Sequence, residues 1–304
     1  MITTSSGRKK RVIRSILSGG VGNQLFMIFA VLDLGFQTKC KVIAYSPRTT
    51  KGFQVHRSSI EAFHIPGLGE YEPEPFDYLV RHRLTSFAYR HLPAVSKPLM
   101  NLTRYYESPV IGYDKALGHL ENGGTIKGYF QTYRHFKKFK AHNPLFEITL
   151  KNPSKEFLKL EQSLKSKEVS VIHVRLGDYL LHKDSVGVLS SDYFKSCLEI
   201  MSLKNSSVLV FSDDIEEATK MISHLLPKSA IWLGPASLSA EESLALMWRG
   251  NQFILSNSSF SYWGALLARN PITVISPSKW FKNENDPTDL IPEEWLRIDS
   301  KWIT

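Results

Sequence analysis

Between residues 165 and 280, short apolar runs alternate with helical patterns, and this alternation constrains the fold more than any other feature of the chain. "VSVIHV" (169–174), "SVLVF" (207–211), "AIWLG" (230–234), "QFILS" (252–256) and "ITVISP" (272–277) are short and mostly apolar or β-branched. That is how strands buried on both faces read. "DYFKSCLEIMSL" (192–203), "IEEATKMISHLL" (215–226), "AEESLALMWRG" (240–250) and "SFSYWGALLAR" (259–269) separate them with helical spacing. Strand and helix in turn predict a doubly wound parallel sheet. Its ligand crevice lies outside the carboxyl ends of the strands. Three polar clusters fall at such ends: "RLGDY", "SDD" and "SNSS".

The first half opens in the same way. "VIRSIL" (12–17) reads as a strand, residues 23–36 as a helix and "KVIAYS" (41–46) as a second strand. From 47 to about 125 the pattern loosens, with a helix expected near 76–92 and much loop. "TIKGYFQTYRHF" (125–136) reads as a strand leading into a helix. Three segments are expected: an N-terminal acceptor-side domain over 1–164, a ligand-binding domain over 165–285, and a C-terminal segment, 286–304, packing back on the N-terminal domain. The longest apolar run, "LFMIFAVL" (25–32), is far shorter than the roughly 20 residues that span a bilayer. No apolar signal-peptide core follows the basic start. The expected location is cytoplasmic, with peripheral contact at the inner membrane face left open. Cys40 and Cys197 are the two cysteines, far apart and outside any Cys/His cluster, which argues against a disulfide framework or a zinc site.

The opening turn, Ser18 to Gly22, resembles a phosphate-binding loop without meeting either familiar pattern. Gly20 and Gly22 are followed by Leu25 where a dinucleotide fingerprint needs a third glycine, and residues 39–42 hold no carboxylate. No GK[ST] follows either. What remains is Asn23 and Gln24 at a helix start, where free N–H groups favour an anion, or simply a strand-to-helix turn. His173 and Arg175 alternate along one strand and so share a face. A diphosphate suits the planar fork of an arginine, and Asp178 is an equally available internal partner. Ser212 or Asp213 either caps the next helix or contacts a ligand. Asn257, Ser258 and Ser259 gather small polar groups at a helix start, where a phosphate fits. The doublet Asp213-Asp214 lacks D-x-D spacing, so no metal is implied.

The elements "GGVGNQLF", "GYFQTYRHF", "HVRLGDY", "FSDD", "SNSSFSYWGALLA" and "ISPSKWF" occur in that order over residues 18–282. Together they resemble the α-1,2-fucosyltransferase family, glycosyltransferase family 11. Members typically have Arg where this chain has Leu176, an aromatic or Gln at Met27, and Trp at Tyr262. These departures are expected to bear on fine substrate preference.

The resemblance implies a GT-B-like α/β fold, two Rossmann-type domains facing a cleft. It implies GDP-β-L-fucose as donor, a terminal galactose-containing oligosaccharide as acceptor, an inverted α-1,2 linkage, and no metal or other cofactor. Carried onto this chain, Arg175 would bind the diphosphate, His173 the nucleoside end and Asp213 the guanine. Ser258 and Ser259 would hold phosphate, with Asn257 beside them. Asn23, with Gly20 and Gly22, would reach the donor phosphate or fucose. Asp178, ahead of Asp184, is the favoured proton acceptor. Two rival readings are a transferase of another GDP-sugar or linkage, and a non-catalytic binder of polyanions or glycans suggested by the net charge of +9. The second leaves the three strand-end clusters without a purpose, and nucleic acid is not an expected partner.

Overall fold

The computed structural model describes residues 11–45, 59–69, 87, 91, 104–120 and 123–303. The helix expected near 76–92 lies outside the described residues, apart from Phe87 and His91, as does much of the loosely patterned stretch from 47 to about 125. Contacts divide the chain into two units. The first holds the described residues up to 147 except 20–22 and 62–64; those two pieces and 148–303 make the second.

The first unit is a four-stranded parallel sheet. Its strands are β1 (Val12–Ile16), β2 (Lys41–Tyr45), β4 (Tyr105–Glu107) and β5 (Gly124–Lys127), in the order β2-β1-β5-β4. Helix α1 (Val21–Thr38) links β1 to β2 and is buried without a break from Gln24 to Leu34, as a helix apolar all round must be. Its one buried carboxylate, Asp33, is met by His135 Nδ1 at 2.9 Å and by Gln37 Nε2 at 2.7 Å. The helix stops at Lys39, whose φ of 56° lets the Cys40 N–H reach back to the Gly35 carbonyl at 3.1 Å. This is a Schellman closure made without glycine. Helix α2 (Arg134–His142) turns His135 and Phe139 inward. Phe29 of α1 packs there against Phe136, Phe139 and Phe146.

The second unit is a six-stranded sheet of β7 (Glu168–Val174), β8 (Ser206–Ser212), β9 (Ile231–Leu233), β10 (Gln252–Ile254), β11 (Thr273–Pro277) and β12 (Leu296–Ile298), all parallel. The spatial order is β12-β11-β10-β7-β8-β9. Counted from β7 as the first strand, this is the dinucleotide-binding order 6-5-4-1-2-3, and its topological switch lies between β7 and β10. Helices α4 (Ser191–Ile200), α5 (Ile215–Ile222), α6 (Ala240–Met247) and α7 (Ser259–Leu266) supply the crossovers. Ile172 and Val174 of β7 enter the core formed with Tyr193, Phe194 and Cys197 of α4. His173 faces the opposite way, onto Phe260 of α7. One strand thus divides its side chains between two helical layers.

Two boundaries differ from the expected ones. Residues 148–164 group with the second unit, because α3 (Lys155–Ser163) is tied there. Ser154 caps α3, and its own N–H donates to Glu242 of α6 at 2.7 Å. The short strands β3 (Phe63–His64) and β6 (Thr149–Leu150) also pair within this unit. Residues 286–303 group with the second unit. β12 extends the second sheet beside β11, and Trp302 bridges to Leu189. Among the described residues no helix is long and apolar enough to cross a membrane, and Cys40 and Cys197 are both free thiols.

The buried Tyr193 hydroxyl donates at 2.8 Å to the carbonyl of Leu255, just past β10. Tyr193→Phe strands that carbonyl in the core, so urea denaturation should show a loss of about 1–3 kcal/mol. An unchanged midpoint would contradict the role given to this bond.

Candidate functional site

The switch between β7 and β10 gathers the polar clusters of the second unit. Ser256, just past β10, lies at its centre. Its Oγ donates to the His173 carbonyl at 2.6 Å and accepts the Arg175 N–H at 3.0 Å. From the other side, Asp213 at the end of β8 accepts the Leu176 N–H on Oδ1 at 2.9 Å. Two consecutive backbone amides are thereby fixed from both flanks, and with them the direction in which Arg175 leaves the sheet.

The Arg175 guanidinium is held on three sides. Nη2 donates to Asp178 Oδ1 at 2.6 Å, Nη1 lies 3.2 Å from Asp213 Oδ2, and the Tyr179 ring lies 5.0 Å from its carbon. The two carboxylates are not equivalent. The Asp178 side chain is 62% exposed and that of Asp213 only 21%. The first pair is a solvent-screened contact worth little, whereas Asp213 is also bound to backbone. Arg175 Nε is buried with no partner, a donor still to be satisfied. Gly177 completes the arrangement, because a Cβ there would collide with Asp213 Oδ2.

His173 is buried and its Nδ1 has no partner. Burial first, then the neighbouring Arg175 charge, lowers its pKa to about 3. The ring is therefore neutral at physiological pH and is not a cationic phosphate ligand. Asn257 spends its Nδ2 on the carbonyls of Val186, Gly187 and Trp280 at 3.1–3.2 Å. It lashes two loops to the switch, and its Oδ1 is buried without a partner. Ser258 caps α7, its Oγ accepting the Phe260 N–H at 3.3 Å. Ser259 is the first residue of α7, whose opening turn carries no acidic side chain. The positive end of that helix dipole is left for an anion.

The cap of α5 differs from the expected one. Neither Ser212 nor Asp213 caps α5; Asp214 does, its Oδ1 accepting the Glu217 N–H at 3.1 Å. Both oxygens of Asp213, the residue expected to read guanine, are engaged by Leu176 and Arg175. Asp178, the favoured proton acceptor, is paired to Arg175. Asp184 lies exposed in the following loop. Among the described residues, no three His, Cys, Asp or Glu side chains form a group able to hold a metal ion. Gly20 and Gly22 group with the second unit, and a side chain at Gly22 would overlap the Ser259 backbone. Asn23 belongs to the first unit, where its Oδ1 accepts from Gln131 Nε2 at 3.1 Å. Sequence reasoning missed Ser256, Gly177, Tyr179 and Gln131. Ser256 was legible as a hydroxyl ending a buried strand, but nothing local marks it as a bridge to β7.

Residues 118–299 match the family model described as glycosyl transferase family 11. An alpha-1,2-colitosyltransferase of Escherichia coli is 26% identical over 305 residues, covering 95% of this chain and 99% of its own length. The O-antigen biosynthesis glycosyltransferase WbnK of Escherichia coli is 24% identical over 311 residues, covering 93% and 99%. Among solved structures, a mutant of Arabidopsis thaliana FUT1 in complex with GDP superposes with a TM-score of 0.50. It shares 13% identity and covers 90% of this chain and 72% of that one. The shared fold is of the GT-B type.

Neutral burial of His173 makes stability pH-dependent. Its folded pKa of about 3 lies below the ordinary value of 6.5, so between these values the unfolded chain binds the extra proton. The contribution is complete above pH 6.5 and is lost as pH falls toward 3, at up to about 1.4 kcal/mol per pH unit. Denaturation at pH 7 and pH 5 should differ by about 2 kcal/mol from this group. The difference should vanish in His173→Gln, and an identical pH slope in that variant would refute the assignment.

Proposed function

The chain belongs to glycosyl transferase family 11, and from that membership we propose that it moves L-fucose from GDP-β-L-fucose to the 2-hydroxyl of a terminal galactoside, forming an α-1,2 linkage with inversion. The observation that carries this reading is Arg175 at the switch between β7 and β10, held by one exposed and one sequestered carboxylate. A diphosphate can take the Nη2 edge from the exposed Asp178 at little cost, while Asp213 keeps the guanidinium aimed. The orphaned Nε gains a partner in the same step. Phosphate also suits the uncompensated start of α7 at Ser258 and Ser259. The neutral His173 is suited to lining the nucleoside end rather than to binding charge.

In the reaction the acceptor 2-oxygen bonds to the anomeric carbon as the bond from that carbon to the phosphate oxygen breaks. The electron pair leaves with GDP, and Arg175 meets the growing negative charge. The acceptor hydroxyl releases its proton to a nearby base. Asp178 becomes free for that task when the diphosphate displaces it from Arg175. Asn23 offers its amide to a substrate oxygen, phosphate or hydroxyl. No step needs a metal ion. A second reading keeps the linkage and changes the sugar. The relative that covers 95% of this chain is named for α-1,2 transfer of colitose, so colitose in place of fucose is the alternative the comparison favours.

Incubation with GDP-fucose and GDP-colitose over a panel of terminal galactosides, with linkage analysis of the products, separates these readings. An α-1,2-fucosyl product is expected, and transfer of colitose alone would replace fucose in the proposal. Arg175→Ala should fold normally and lose about 10²–10³ in kcat, the worth of one charge-stabilising contact. Near-normal turnover by the purified variant would remove Arg175 from the diphosphate. Activity should also persist in EDTA; a strict divalent-metal requirement would overturn the metal-free scheme.

A further inference from the structure

Gln131 ends the first unit's "GYFQ" turn, and its side chain reaches 108 residues back along the chain to Asn23. A primary amide has an acceptor end and a donor end. With Asn23 Oδ1 occupied by Gln131 Nε2, the Nδ2 donor is the end of Asn23 left for a further oxygen. Gln131 is itself firmly placed. Its backbone N–H donates to the Ile111 carbonyl at 2.6 Å. The preceding Phe130, buried to 1% exposure, holds a φ of 50°. Bulky residues adopt that conformation only under strain, and such strain concentrates at functional sites. The Thr132 N–H closes on the Phe130 carbonyl at 2.8 Å, and the ring lies edge-on to His135 at 6.3 Å. On the other side, Gly19, with φ of 72°, lies under Asn23. A Cβ there would stand 2.8 Å from Nδ2.

Two costs accompany this arrangement: the strain at Phe130 and the Oε1 of Gln131, buried with no partner. Methionine would fill the same space without the orphaned acceptor. What glutamine adds is its donor to Asn23. We propose that Gln131 is a positioning residue for glycosyl transfer: by donating to Asn23 Oδ1 it holds Asn23 with its N–H₂ end toward a substrate oxygen. The proposal rests on the reading of the chain as a GDP-sugar transferase in which Asn23 meets substrate.

A double-mutant cycle tests it on the full chain, with the GDP-sugar that the wild type turns over. Gln131→Met fills the space without donating, and Asn23→Ala removes the group acted upon. Each single variant should lower kcat/KM by about tenfold, the scale of one hydrogen bond. The double variant should be no worse than Asn23→Ala alone, because Gln131 acts only through Asn23. Thermal midpoints should stay at the wild-type value. Gln131→Glu, which presents acceptors to Oδ1, should cost at least as much as Gln131→Met. Wild-type kcat/KM in Gln131→Met, additive losses in the double variant, or a loss that tracks a lowered midpoint would each overturn the positioning role. A wild-type chain that transfers no sugar from any GDP donor would instead overturn the functional reading on which the role depends.

Discussion

The chemistry of the second unit depends on two hydrogen bonds to consecutive backbone amides. Ser256 takes the Arg175 N–H and Asp213 takes the Leu176 N–H. β10 ends at Ile254, so without Ser256 the chain past β7 would lose its anchor on that side. The serine continues the ladder by one side chain, and Asp213 does the same from β8. Hydrogen bonds to a charged acceptor are the stronger kind, so the turn is tightest on its Asp213 side. Gly177 follows from this: once Asp213 is drawn in to bind the amide, no side chain fits at 177.

The same carboxylate solves a charge problem. An arginine at a sheet end among buried groups needs a counter-charge, and a permanent, fully buried one would compete with any anionic ligand. The structure divides the task. Asp213 stays bound to backbone and keeps the guanidinium from collapsing onto the sheet, while Asp178 pairs from an exposed position and is readily exchanged. The Tyr179 ring supports the guanidinium from a further side, and its hydroxyl donates to the Asn257 carbonyl at 3.3 Å. His173 fits beside this charge because it is neutral, and the charge of Arg175 helps to keep it so.

Much of this fold was legible in the sequence because buried parallel strands leave a strong signal. "VSVIHV" and "SVLVF" could hardly be anything else, and their polar ends marked the carboxyl edge of the sheet before any strand order was known. Legibility ended where distant partners decide a role. Arg175 was equally a diphosphate ligand or the partner of Asp178, since spacing cannot tell a resting ion pair from a binding site. Asp213 looked like a reader of bases or a cap because its partner at Leu176 is a backbone group, which leaves no trace in composition. Gln131 and Asn23 are 108 residues apart, and neither sequence context predicts the bond. The C-terminal strand gave no signal for a similar reason. β12 is three residues long and two of them, Leu296 and Arg297, are exposed, so it lacks the apolar run that marks a strand.

The three positions at which a departure from the family is expected, Met27, Leu176 and Tyr262, are all buried. Leu176 lies in the core with Val174 and Tyr193, while His173 faces the opposite way, onto Phe260. Met27 is enclosed in α1. Tyr262 packs among Trp263, Trp280 and Trp295, and its hydroxyl donates to the Leu290 carbonyl at 2.8 Å. A tryptophan there would be larger and would place its single donor differently, so the segment around Leu290 must differ with it. All three side chains are part of the packing, where an uncompensated change of volume leaves a cavity or strain. Leu176 carries a further constraint. An arginine could not enter that core unpaired, so Leu176→Arg would have to turn its side chain outward, and the path of the turn after β7 would have to change with it.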